Sequence, residues 1–190
     1  MKHFARCFVI AFALVSVLSY GSAPKGWFIA GDQPDKYESG LDMQSLRNGH
    51  PSAYLRSTSS SIHGFGTLMQ EFRADHYLGK RIRFSALVRS ADAQEWAGLW
   101  MRIDKGTKSI AFDNMQNRPI RGTSDWKKYD VVLDVPGDAT GIFFGVLLRG
   151  SGEVWLNDAK IEVVGEDVAT TGGQLRTDRD EPTNLNFDEK

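Results

Sequence analysis

Short runs of β-forming residues, with turn residues between them at spacings of about 10–15 positions, fill the chain from residue 24 to residue 164. In the clearest run, residues 81–90, apolar and mostly polar side chains alternate. No amphipathic helix longer than two turns is present, and parallel strands would need crossover helices. The sequence therefore predicts an all-β chain that forms an antiparallel β-sandwich of about nine strands.

The runs also predict where the strands and turns lie. The Gly- and Asp-rich residues 32–42 predict a loop, and residues 75–80 and 117–125 predict turns. Phe84, Phe112, Phe144, Val131 and Trp126 are expected in the core, and Trp27 and Trp155 in the core or at a sheet edge. The predicted strands are 26–31, 52–59, 65–74, 81–90, 95–104, 109–116, 126–135, 141–149 and 153–164.

Residues 1–23 have the three-part pattern of a secretory signal peptide. Lys2 and Arg6 form a basic start, residues 7–18 are almost entirely apolar, and small residues allow cleavage after Ala23. The apolar run is short for a membrane span, and an uncleaved N-terminal anchor is the alternative. We expect a secreted or periplasmic protein that does not contact the membrane after signal cleavage.

Signal cleavage would also change the chemistry of the mature chain. It would remove Cys7, the only cysteine, so the mature chain would have no disulfide, thiolate nucleophile or Cys metal site. The loss of Lys2 and Arg6 would leave 21 basic and 24 acidic residues, a net charge of −3. A mildly acidic chain disfavours nucleic acid as a partner.

Beyond the sandwich domain, predicted as residues 24–168, the composition changes. Residues 169–190 form an acidic tail that predicts disorder. Within this tail, residues 184–188 alternate apolar and polar side chains like a short added strand.

Several stretches between residues 26 and 164 resemble the carbohydrate-binding-module type of jelly-roll sandwich, in the galactose-binding-like superfamily. They include LGKRIRFSALVRS, TSDWKKYDVVLDV and GSGEVWLNDAKIEVV. The stretch WAGLWMRID…IAFDNMQNRPIRGTSDW is similar to a domain attached to some bacterial transcriptional regulators. The resemblance implies an antiparallel jelly-roll β-sandwich, a fold that carries sugar-binding, protein-binding and structural roles.

One departure from the resembled modules concerns their first strand, which normally precedes a Gly-Trp pair like Gly26-Trp27. Here the predicted signal peptide ends at Ala23, with only two residues between it and that pair, which leaves no room for such a strand. We hypothesise that residues 184–188 supply the missing strand beside residues 155–164, as in a circularly permuted chain.

The predicted strand 95–104 has two unlike faces. Ala97, Leu99, Met101 and Ile103 form an aliphatic face. The opposite face carries Trp96, Trp100 and Arg102 where a solvent-facing strand normally shows small polar groups.

This aromatic face suits sugar recognition, which combines flat apolar surfaces with planar polar groups. Indoles four residues apart on a strand stand about 13 Å from each other, the length of two or three sugar units. The alternative is a structural face, with one indole under a loop and Arg102 paired with Asp104 or Asp113. The further residues predicted to supply hydrogen bonds to the ligand are Arg83, Gln70, Asp113, Asn114, Gln116 and Arg149.

Metal sites find little support in the sequence. His50, His63 and His76 lie in loop-like contexts without ligand spacing, which disfavours zinc. The resembled modules often hold a structural Ca²⁺ near the chain ends, for which Asp32, Asp42 and Asp158 would be the oxygen donors.

The sequence also has no motif of nucleophilic catalysis or phosphate binding. Glu71, with Glu95 or Asp113, would be the carboxylate pair of a small secreted hydrolase. We instead predict a secreted, non-catalytic, cofactor-free module that binds a carbohydrate-like or small polar ligand. A protein-interaction or structural β-sandwich is the alternative, and the oligomeric state remains open.

Overall fold

A computed structural model of the chain describes residues 22–174. Most of the predicted signal peptide and the predicted strand 184–188 lie outside these residues. The predicted antiparallel β-sandwich is confirmed, and every strand pair is antiparallel. The strands are β1 (Phe28–Gly31), β2 (Tyr37–Arg47), β3 (His50–Ser57), β4 (Phe65–Arg73), β5 (Arg81–Lys105), β6 (Lys108–Asp113), β7 (Ile120–Asp134), β8 (Gly141–Arg149), β9 (Glu153–Val164) and β10 (Gly173–Gln174).

The sandwich has two layers that share one long strand. The first layer has the order β1-β4-β8-β5-β6-β10 and uses the C-terminal half of β5. The second layer has the order β7-β5-β9-β3-β2 and uses the N-terminal half. β5 therefore joins the two runs that the sequence predicts as separate strands at 81–90 and 95–104.

β5 changes layers through a series of register shifts. Its pairing with β7 slips between Val88 and Ser90, between Ser90 and Ala93, and between Ala93 and Ala97. Asp92 within this stretch has a φ of 50°. Bulges of this kind bend a strand and increase its twist, which lets a single strand turn the corner between two sheets.

The core lies between the layers, where the alternation of β5 predicts it. Phe84 of the second layer meets Phe144 of the first with ring centroids 4.9 Å apart. Trp27 packs edge-on against the same Phe144 ring. All eight apolar β5 residues predicted to face inward are at most 1% exposed: Ile82, Phe84, Ala86, Val88, Ala97, Leu99, Met101 and Ile103.

The sequence-based strand positions differ from the structure mainly in two elements. β2 begins at Tyr37, inside the predicted loop 32–42, because Tyr37 and Gly40 are buried despite their Gly- and Asp-rich neighbours. β7 begins at Ile120 rather than at residue 126. By contrast, β8 and β9 have the predicted bounds.

Two predicted core aromatic residues lie elsewhere. Trp126 is half-buried on the outer surface of the second layer, with the guanidinium groups of Arg47 and Arg89 over its ring. Phe112 lies on the outer surface of the first layer. Trp155 is buried on the outer face of the second layer, where its indole donates to Asp42.

The chain after β9 returns to the sandwich instead of leaving it. Arg81 donates to the backbone oxygens of Glu166 and Val168. Thr171 is hydrogen-bonded to Val132 of β7 in the second layer, and β10 then pairs with β6 of the first. Residues 171–174, which the sequence assigns to the acidic tail, thus bridge the two layers. No helix in the described part of the chain is long and apolar enough to span a membrane.

Candidate ligand-binding pocket

The outer face of the first layer contains a pocket with a volume of about 850 Å³. It extends across β1, β4, β8, β5 and β6, and the strands contribute alternate residues because only every second side chain points outward. The register sets residues side by side in rows: Glu71, Phe143 and Arg102 form one row, and Met69, Gly145 and Trp100 form the next. Antiparallel pairing thus brings together side chains that are far apart in sequence.

The floor of the pocket is apolar. Met69, Trp100 and Leu147 form a small buried cluster separate from the main core. Trp100 is only 7% exposed, and its indole Nε1 donates to Thr67 Oγ1 at 2.6 Å. This hydrogen bond satisfies the one polar group of a buried indole. Partly buried residues packed against the cluster are Ala30, Phe65, Trp96, Phe112 and Phe143.

Trp96 occupies a more open position on the same face of β5. Its ring lies beside Gly98, because a Cβ at Gly98 would be 3.6 Å from the ring. The same Cβ would be 3.0 Å from both Asn114 O and Met115 Cβ. Gly98 therefore lets the segment after β6 approach the pocket closely while Trp96 remains partly exposed.

Arg102 lies over the Phe143 ring, 4.4 Å from its centroid. Its Nη2 is 2.9 Å from Asp104 Oδ2, which is the pairing that the structural alternative predicts. Arg102 Nε and Asp104 Oδ1 are buried and have no hydrogen-bond partner among the described residues. The ion pair with Asp104 and the contact with the Phe143 ring thus hold the guanidinium in one orientation.

Arg149 provides a second fixed guanidinium on the pocket wall. Its Nε donates to Glu95 Oε2 at 2.7 Å, with both side chains about two-fifths exposed. Arg149 pairs across the strands with Trp96. A guanidinium group therefore lies next to two aromatic side chains of the pocket, with Arg149 next to Trp96 and Arg102 over Phe143.

The segment after β6 supplies two amide side chains, Asn114 and Gln116, to the pocket lining. Asp113 holds this segment in place by accepting hydrogen bonds from Met115 N at 2.9 Å and Arg118 Nη2 at 2.6 Å. Arg118 also donates to Asp130 O of β7. Asp113, predicted as a ligand contact, is 7% exposed and acts as an internal anchor of the segment.

The structure brings together six of the nine residues proposed as ligand contacts. Trp96, Trp100, Arg102, Asn114 and Arg149 line the pocket, as does Gln116. Asp113, Arg83 and Gln70 do not line it.

The positions of Arg83 and Gln70 follow from the fold. Arg83 lies on the half of β5 that belongs to the second layer, where it donates to Glu162 at 2.7 Å. Gln70 alternates with the pocket residues Met69 and Glu71, so its side chain points away from the pocket.

The sequence reasoning missed several lining residues. Four of them, Phe65, Met69, Phe143 and Leu147, could have been identified from the alternation of β4 and β8, since Arg149, already predicted as a ligand contact, marks the outward face of β8. Their grouping across strands depends on register, which alternation alone does not determine. The missed lining residues are Phe28, Phe65, Met69, Phe112, Phe143 and Leu147.

No group of three or more His, Cys, Asp or Glu residues that could hold a metal ion occurs within residues 22–174. Two of the Asp residues predicted as Ca²⁺ donors have structural partners. Asp32 accepts from Phe65 N, and Asp42 accepts from Gln44 N and Ser45 N in the β2–β3 hairpin.

The chain is similar in sequence to an uncharacterised HTH-type transcriptional regulator, YbfP, of Bacillus subtilis (strain 168). The two are 44% identical over 169 residues, which is 87% of this chain and 57% of the regulator. The chain thus spans little more than half the length of this curated relative. No family model matches the chain.

Solved structures with a similar fold include xylan-binding domains. The CBM22-1 xylan-binding domain from Paenibacillus barcinonensis Xyn10C aligns with a TM-score of 0.51 and 11% identity, covering 76% of this chain and 90% of that one. A xylan-binding domain of carbohydrate-binding module family 22 aligns with a TM-score of 0.51 and 16% identity, covering 73% of this chain and 87% of that one.

A tailspike protein of bacteriophage CBA120 gives a TM-score of 0.54 and 13% identity, covering 77% of this chain and 21% of that one. At these identities the likeness is one of fold. The predicted resemblance to the jelly-roll β-sandwich of carbohydrate-binding modules is confirmed at this level.

Proposed function

We propose that this protein is a non-catalytic binding module whose first-layer pocket takes a carbohydrate-like or other small polar ligand. The observation that carries the proposal is the combination of an aromatic floor with fixed planar polar groups. Trp96, Trp100 and Phe143 offer flat apolar surface, while Arg102 and Arg149 are held by carboxylate partners. Pockets for small ligands combine apolar walls with a few well-placed polar groups in this way.

Binding would need no chemistry on the ligand. Sugar rings would stack on the exposed parts of Trp96 and Phe143, and their hydroxyls would bond the guanidinium groups and the amides of Asn114 and Gln116. The fold shared with xylan-binding domains supports this proposal.

Affinity electrophoresis against a panel of neutral polysaccharides tests the proposal. We expect retardation of the wild-type protein by at least one polysaccharide. Trp96→Ala should weaken binding about tenfold or more, equivalent to about 1.4 kcal/mol. Trp126→Ala, on the outer face of the second layer, is the matched control and should bind normally. A wild-type protein that no polysaccharide retards would contradict the proposal.

We also propose that the protein is secreted or periplasmic and does not bind nucleic acid. The N-terminal pattern of residues 1–23 and the formal net charge of −1 for the whole chain support these points. Mass spectrometry of protein from the extracellular or periplasmic fraction tests whether the protein is secreted. We expect the mature chain to begin at Pro24.

A protein-interaction role is the second candidate function, and one feature favours it. Three large apolar side chains of β2 are about half or more exposed, namely Leu41, Met43 and Leu46. Contiguous exposed apolar side chains often mark an interaction site. Light scattering that shows a stable dimer, lost in Met43→Ser, would favour this role over a purely ligand-binding one.

A further inference from the structure

The charges around the pocket are unequally matched. Both arginines that line it already have carboxylate partners: Arg102 pairs with Asp104 and Arg149 with Glu95. Each pair is neutral as a unit. An anionic ligand would have to displace one of these carboxylates before it could use the guanidinium fully.

Glu71 is the one carboxylate among the lining residues. Its side chain is exposed, and it makes no hydrogen bond or ion pair within the described residues. Across the strands Glu71 pairs with Phe143, whose ring also receives the Arg102 guanidinium. The pocket therefore presents an unmatched negative charge next to an aromatic surface.

These charges favour one class of ligand over another. A uronate, sulfate or phosphate group would face Glu71 and find both arginines occupied, which costs binding energy through like-charge contact. An ammonium group would supply the missing partner of Glu71 and gain a charge-assisted hydrogen bond.

We propose that the pocket binds a saccharide that carries a free primary amine, and that Glu71 accepts a hydrogen bond from its ammonium group. The sugar ring would stack on the aromatic floor, as in the proposed function on which this inference rests. Glu71 is thus assigned to ligand recognition rather than to the hydrolytic role that its carboxylate suggests.

Calorimetric titration with two matched oligosaccharides tests the inference. Glucosamine oligomers and N-acetylglucosamine oligomers of the same length share a backbone and differ in whether the nitrogen is a free amine. At mildly acidic pH and low salt, we expect the wild-type protein to bind the glucosamine oligomer at least about threefold more tightly, the size expected for a solvent-accessible ion pair. The preference should shrink as salt is added.

Glu71→Gln should abolish this preference, because the amide keeps the shape and loses the charge. Glu166→Gln, an exposed position away from the pocket, is the matched control and should keep it. Galacturonate oligomers serve as the anionic comparison and should bind the wild-type protein more weakly than the glucosamine oligomer.

The outcomes separate this inference from the proposed function. If the acetylated oligomer binds as tightly as the free amine, or the galacturonate oligomer binds most tightly, the inference is overturned. In either case, loss of oligosaccharide binding in Trp96→Ala would still support the proposed saccharide-binding pocket. If the wild-type protein binds none of these oligomers and no neutral polysaccharide, both the inference and the proposed function are overturned.

Discussion

Trp96 and Trp100 share one face of β5, yet their side chains have different environments. Trp100 is 7% exposed and bonded to Thr67, whereas Trp96 is only partly buried. Removing a large buried aromatic side chain costs about 3–5 kcal/mol. We therefore expect Trp100→Ala to lower the free energy of unfolding by about that amount, and Trp96→Ala by less than half of it. Urea denaturation of both variants checks this, and equal losses would contradict the assigned burial.

Tyr37 makes the stability of the fold sensitive to alkaline pH. Its hydroxyl donates to Gly150 O at 2.8 Å and lies 3.3 Å from Gly64 O. Burial is the main cause that raises the pKa of Tyr37 from the ordinary value of 10.0 to about 12. Below pH 10 the hydroxyl is protonated in both the folded and the unfolded chain, so this contribution to stability is complete there.

As the pH rises from 10 towards 12, the unfolded chain loses the Tyr37 proton first and the contribution is lost. We expect the free energy of unfolding of the wild-type protein to fall more steeply over this range than that of Tyr37→Phe. Urea denaturation at a series of alkaline pH values measures both slopes. Parallel slopes for the two proteins would show that Tyr37 does not titrate in this way.

At the scale of elements, the pocket depends on how strands and connecting segments are held. The segment after β6 places Asn114 and Gln116 in the pocket because Asp113 and Arg118 anchor it from behind. Asp113→Asn preserves the shape of the side chain and removes its charge. We expect it to weaken ligand binding about threefold or more by loosening the segment.

A double-mutant cycle separates this positioning role from a general loss of stability. If Asp113 acts through Asn114, the effects of Asp113→Asn and Asn114→Ala on ligand affinity should be non-additive. Arg83→Met, which breaks an ion pair in the second layer, serves as the control and should leave affinity unchanged. Fully additive effects of the first two substitutions would contradict the positioning role.

Some elements could be predicted from the sequence and others could not, for identifiable physical reasons. The alternation of β5 determined which of its side chains face inward, so its part of the core and the Trp96–Trp100 face followed directly. β2 was missed because its Gly- and Asp-rich start resembles a loop until Tyr37 is seen packed on Gly66.

The pocket itself required information that alternation does not contain. Arg83 and Arg102 lie on outward faces of the same strand, but β5 changes layers between them and sends Arg83 to the opposite side. Gln70, by contrast, is explained by alternation, since it lies between the pocket residues Met69 and Glu71 and so faces away from the pocket. Strand register and the bend in β5 arise from long-range pairing, which a single sequence does not specify locally.

For the whole molecule, closure of the sandwich depends on the segment that follows β9. Thr171 bonds β7 and Gly173–Gln174 pairs with β6, so residues 171–174 connect the layers. Truncation after Val168 should lower the free energy of unfolding by about 2 kcal/mol or more, because several backbone hydrogen bonds are lost. Thermal melting measures the change.

Truncation after Gln174 is the matched control, since it retains the bridge and removes only residues 175–190. We expect it to melt closer to the full chain than the shorter variant does. The hypothesis that residues 184–188 add a strand predicts a further loss in this control. Equal melting temperatures for the full chain and the truncation after Val168 would contradict both the bridge and the added strand.

The proposed function requires that the ligand binds at the first-layer pocket and not elsewhere on the sandwich. Each of the five tryptophans has one indole N–H group that a ¹H–¹⁵N NMR spectrum detects, and together they lie in both layers. Titration with an oligosaccharide that the protein binds should shift the signals of Trp96 and Trp100, which line the pocket. The signals of Trp126 and Trp155 should stay in place. Shifts at Trp126 or Trp155 with none at Trp96 and Trp100 would contradict the account.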